Sequence, residues 1–125
     1  VKRSEHGEQT AVIQWALTLE GRYPALHWLY ACPNGEYRSP SVANRLQEEG
    51  VKPGVPDLFL PVPLGEYHGL YIEMKRRGGR TSPEQEEWIT HLLSVGYRVE
   101  VCVGYEQAAA VLCDYVGIPE ELIAK

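Results

Sequence analysis

Two short apolar runs hold the residues of this chain that could do chemistry. Asp57 follows Pro56 and opens the run Leu58-Phe59-Leu60, while Glu73, Met74 and Lys75 close the run Gly69-Leu70-Tyr71-Ile72. Side chains in a strand alternate between faces, so Glu73 and Lys75 project together and Ile72 and Met74 point the other way. A carboxylate and an ammonium on an otherwise apolar strand serve packing poorly, because burying a charge is costly unless it is paired or ligates a metal. A neighbouring strand that brings Asp57 beside Glu73 would join two hard oxygen ligands, a set suited to Mg²⁺ or Mn²⁺. The Met74 carbonyl is a further candidate ligand, since such cations accept backbone oxygens. Lys75 would then reach a nucleophilic water or a scissile phosphate, where it could orient the water, help deprotonate it and stabilise charge developing at phosphorus. Its identity matters, because an Arg guanidinium does not give up its proton in proteins. The set suits metal-assisted hydrolysis of a phosphodiester. Against it stand a turn role for Asp57 and an exposed Glu73–Lys75 ion pair, which would contribute only about 0–1 kcal/mol.

In order along the chain, Pro56-Asp57 and then Glu73-Met74-Lys75 resemble the PD-(D/E)xK nuclease superfamily. With Gly50-Val51-Lys52-Pro53-Gly54-Val55 before them, and Ser82-Pro83-Glu84-Gln85 and Gly96-Tyr97-Arg98-Val99 after, the set resembles the VRR-NUC family, which includes small stand-alone phage and bacterial proteins. The resemblance runs from Glu5 to Tyr115, nearly the whole chain. It implies an α/β fold with a restriction-endonuclease-like core, a mixed β-sheet flanked by helices. It also implies a divalent-metal-dependent DNA endonuclease, structure-selective for branched DNA such as four-way junctions and acting as a homodimer. An exonuclease or flap nuclease of repair is the alternative enzyme, and a catalytically silent DNA-binding module on a nuclease fold is the alternative class.

The same resemblance assigns roles. Asp57 becomes a bridging or central metal ligand beside Glu73. An acidic residue on the first helix faces the site and helps hold metal through water; Glu5, with Gln9 four residues on, fits that spacing better than Glu8, which shares its face. The alternative is that both are first-turn carboxylates that favour the helix dipole. Related nucleases carry a Gln where Gln85 stands, giving it a catalytic role, although capping explains it as well. Asn34 and Arg38 resemble a polar loop at the cleft that binds substrate, or form an ordinary turn.

The elements needed to position these residues can be read from periodicity and breakers. A helix is expected from Ser4 to Leu19, with Val12, Trp15, Ala16 and Leu19 on one face. A strand is expected at 27–31. Ser39-Pro40 reads as a cap followed by Pro at the first helical position, opening a helix that stops at Gly50. Strands at 57–61 and 69–75, joined by a breaker-rich connection, predict an antiparallel hairpin. Ser82 and Gln85 fit the capping-box pattern S-x-x-Q at the head of a helix to about Val95. A strand at 97–103 and a helix at 105–116 complete the order α-β-α-β-β-α-β-α. The helix between the last two strands predicts that they are parallel.

The chain's 125 residues suit one domain over 1–125 with a single core. No run approaches the roughly 18 apolar residues of a membrane span, and no signal-peptide core is visible. Cys32, Cys102 and Cys113 form no C-x-x-C pair, which disfavours a disulfide framework or zinc site and suits a reducing cytoplasm, bacterial or of a phage-infected host. The net charge of −5 argues against a nucleic-acid partner only in total. Seven of the 12 basic residues lie between Arg38 and Arg80, and a local basic patch with bound metal can hold phosphates. Arg76, Arg77 and Arg80 follow the motif strand directly, as phosphate contacts or as a solvated turn.

Overall fold

The computed structural model describes residues 3–35 and 39–124. Its first helix, α1 (Glu5–Leu19), starts where the Ser4 hydroxyl accepts from the Gly7 N–H, and it buries Val12, Trp15 and Ala16. The next segment departs from expectation. The strand expected at 27–31 is mostly a 3-10 helix, Pro24–Trp28, and only Tyr30–Ala31 (β1) joins the sheet. Pro24 holds φ in the helical range and lacks an N–H that the first turn would leave unbonded, so the chain coils there before it extends.

Two helices begin where the sequence marks them. Ser39 caps α2 (Pro40–Glu48) by accepting from the Val42 N–H. Ser82 and Gln85 complete a capping box at α3 (Pro83–Ser94). The last helix, α4 (Gly104–Val116), ends at Gly117, whose φ of 89° is left-handed. The remaining strands are β2 (Leu58–Leu60), β3 (Leu70–Lys75) and β4 (Arg98–Val103). They form a four-stranded sheet in the order β1-β2-β3-β4. β1 and β3 flank β2 antiparallel, and β4 runs parallel to β3, as the intervening α3 permits. The fold is therefore α/β with a mixed sheet.

The pleat separates two faces. Leu58, Leu60, Leu70, Ile72, Met74 and Cys102 share one face and form the core with α1 and α4. Phe59, Tyr71, Glu73 and Lys75 alternate with them and occupy the other, where the first turn of α3 reaches Glu73. The Trp15 indole donates to the Leu122 carbonyl at 2.9 Å and ties α1 to the end of the chain. The three cysteines are free thiols. Among the described residues no helix is long and apolar enough to cross a membrane.

Candidate active site

The β2–β3 register places Leu58 opposite Ile72, so Asp57 stands one step past the ladder, level with Glu73. It is 8% exposed, and both of its carboxylate oxygens are held. The Met74 N–H donates to Oδ2 at 2.8 Å and the Asn34 amide donates to Oδ1 at 2.9 Å. The Cys32 N–H binds the Asp57 carbonyl at 2.8 Å and so anchors the loop that carries Asn34. A strand residue directs its N–H and C=O toward the same edge, so the Met74 carbonyl also faces the Asp57 side. The loop expected to bind substrate through Asn34 thus uses that residue to fix a carboxylate.

Glu73 is fully buried. Its Oε2 accepts from the Gln85 amide at 3.0 Å, and the Lys75 ammonium lies 3.6 Å from the same oxygen. The other end of the Gln85 amide accepts from the Ser82 N–H at 2.7 Å, while the Ser82 hydroxyl accepts from the Gln85 N–H at 3.2 Å. Capping and site contact, alternatives for Gln85 in the sequence, coexist because the two ends of one amide serve different partners.

Gly54 sets the distance between the Asp57 loop and α3. A Cβ built on Gly54 would lie 2.5 Å from the Glu84 carbonyl carbon and 2.9 Å from the Gln85 nitrogen, and its φ is +89°. Only glycine lets this loop press against the turn that presents Gln85. The family-like glycine is visible in the sequence, but its contact is not, because the two segments are some thirty residues apart.

The donor set suits a hard divalent cation. Two buried carboxylates stand on one sheet face, Glu73 beside the Lys75 ammonium, and buried carboxylates are costly unless they are paired or ligate a metal. The oxygens of Asp57 and Glu73, with the Met74 carbonyl, are ligands of the kind Mg²⁺ and Mn²⁺ take. No group of three or more His, Cys, Asp or Glu side chains gathers among the described residues, so Glu5 is not drawn into a cluster with Asp57 and Glu73. Glu8 is engaged elsewhere: its Oε2 accepts from the Tyr105 N–H at 3.0 Å and from Arg3 at 3.3 Å. It caps α4, and it stays close to Gly104, where a Cβ would lie 3.6 Å from its Oε1. Because Val103 pairs with Lys75, this contact brings the start of α1 to the end of the sheet that carries Lys75. Glu5, one turn earlier on the face of Gln9 and Val12, lies at that end without a capping role.

Arg76, Arg77 and Arg80 are exposed on the turn after β3. None of them takes part in an ion pair among the described residues. Arg38 lies outside the described residues. Cys32 beside Asp57 carried no signal in the sequence. Burial, and then the Asp57 charge, push its thiol up to about 11, so it stays protonated at neutral pH.

Comparison with known proteins agrees with the fold. The VRR-NUC domain profile matches residues 2–106. A solved structure described as a VRR_NUC domain protein superposes with a TM-score of 0.77 at 28% identity, covering 95% of this chain and 93% of the other. No curated protein matches the chain.

Proposed function

The chain belongs to the VRR-NUC family, and we propose that this nuclease-type domain, spanning residues 1–125, is a divalent-metal-dependent DNA endonuclease that cuts branched DNA as a homodimer. Asp57 and Glu73, with the Met74 carbonyl, would hold Mg²⁺ or Mn²⁺, and Glu5 would add a water-mediated contact. When bound, such an ion supplies Lewis acidity at the phosphoryl oxygen and eases deprotonation of water. Asn34 and Gln85 are positioning residues that fix one oxygen each of Asp57 and Glu73. Lys75 orients the attacking water and offsets the negative charge that grows at phosphorus. Arg76, Arg77, Arg80 and Arg38 contact phosphates flanking the scissile one, which places the substrate without reading its sequence. A two-fold pair of such sites suits symmetric cuts in a four-way junction.

The observation that supports this reading best is the convergence of two buried carboxylates and one ammonium on a single sheet face, with both carboxylates oriented by amides. A Mg²⁺ titration with plasmid and four-way-junction DNA tests it. Nicking or junction resolution is the expected result. Release of mononucleotides without a ladder would make the chain an exonuclease, and binding without cleavage would make it a silent module.

A further inference from the structure

The sheet face that carries the carboxylates also carries a row of aromatic rings, one pleat away. Tyr30 pairs with Phe59, Phe59 with Tyr71, and Tyr71 with Val99, so their side chains form a line across all four strands. The next line on that face holds Cys32, Asp57 and Glu73, since Phe59 is two residues after Asp57 and Tyr71 two before Glu73. Two residues along a strand separate the lines by roughly 7 Å.

The rings form a platform. Phe59 and Tyr71 stack at 4.1 Å between centroids and 13° between planes. Tyr30 meets Phe59 edge-on at 5.9 Å, and Tyr97 meets Tyr71 at 5.3 Å. Phe59 lies over Gly69, where a Cβ would fall 2.9 Å from its ring. Tyr30 is 50% exposed, and Phe59, Tyr71 and Tyr97 are half-buried. The main core lies on the opposite face, and α3 extends over β4 rather than over β1 and β2.

Resting on the nuclease reading, we propose that this row stacks unpaired nucleobases next to the phosphate at Asp57 and Glu73, so that the strand entering the site is single-stranded there. The occupant follows from continuity: a nucleotide with its phosphate at the carboxylates carries its base to within the spacing of the next line. Bases in a duplex are hidden in their own stack, whereas splayed bases stack on aromatic residues of a sheet face. The exposed Lys52, Arg76 and Arg77 supply charge for the flanking backbone. Frayed branch points and flaps offer such bases, and an intact duplex does not.

The test uses the full chain with Ca²⁺ and short fluorescent strands: an oligothymidine, the same backbone without bases, and a duplex. Wild type is expected to bind the base-bearing strand roughly five- to a hundredfold more tightly than the abasic one. That ratio should shrink toward one in Tyr30→Ala and in Phe59→Leu, with duplex affinity unchanged. Equal binding of abasic and normal strands by wild type overturns the inference without relying on any variant. A ratio kept by both variants also overturns it, and if they convert a dimer to monomer in sedimentation, the row is instead an interface between copies. A chain that cuts plasmid with Mg²⁺ but ignores bases loses this inference alone. One that prefers bases but never cuts loses the nuclease reading alone.

Discussion

Asn34 and Gln85, which orient the two site carboxylates, are neutral amides, and that choice has an electrostatic consequence. An arginine in either place would hold the carboxylate more strongly but would also neutralise it. An amide fixes direction and leaves the charge for a cation. Asp57→Asn and Glu73→Gln change charge with little change in volume, so the fold should persist while cleavage falls by about three orders of magnitude or more. Steady-state rates beside melting curves check this, and near-normal activity in both variants would sink the site assignment. The same charge predicts linkage. Mg²⁺ or Mn²⁺ at a hundred times its dissociation constant should stabilise wild type by about 2.7 kcal/mol, and Asp57→Asn far less. Excess EDTA should remove both that shift and the cleavage. Asp57, Glu73 and Lys75 were legible in the sequence because unusual residue types in apolar strands need an explanation. The partners Asn34 and Gln85 were legible only as turn and cap, since which end of an amide meets which atom is a property of the folded chain.

Helices and loops set the angles at which those side chains meet. Gly54→Ala would force a left-handed residue into the first turn of α3, and a cost of about 2–4 kcal/mol is expected from strain and overpacking. Gln85 would be pushed from Glu73, so cleavage should fall even below the melting temperature, and denaturant unfolding with single-turnover rates separates the two losses. The two acidic residues of α1 should divide in the opposite sense. Glu8 caps α4, so Glu8→Ala should cost about 1 kcal/mol of stability and leave activity nearly intact. Glu5→Gln should lower activity and leave stability alone. If Glu8 proves the more damaging to catalysis, the water-mediated role moves to it. Caps at Ser39 and Ser82 were readable because capping is local chemistry within four residues. The stretch at 27–31 misled because apolar and aromatic residues suit a strand, while Pro24 three residues earlier had already begun a turn.

At the scale of the molecule, the acidic total conceals where the positive charge stands. With a net charge of −5, the chain as a whole repels a polyanion, so association depends on the local field at the site. The turn after β3 concentrates Arg76, Arg77 and Arg80, exposed and outside the ion pairs of the described residues. It leaves the sheet at the end where Lys75 stands. The sequence showed this clustering because the three residues are neighbours in the chain. It could not show the aromatic row, which takes one ring from each of three strands and exists only once the register is set. If all three arginines touch phosphate, replacing them together by Gln should make the slope of log K against log salt shallower by about 2–3 units. Affinity should weaken alike for unrelated sequences, because such contacts position the backbone without reading bases. The rate at saturating DNA should change much less, since Lys75 and both carboxylates remain in place. Binding isotherms for variant and wild type that superimpose from low to high salt would show that this turn never meets DNA, and the charge that holds the substrate would have to be sought around Lys52 and Arg45.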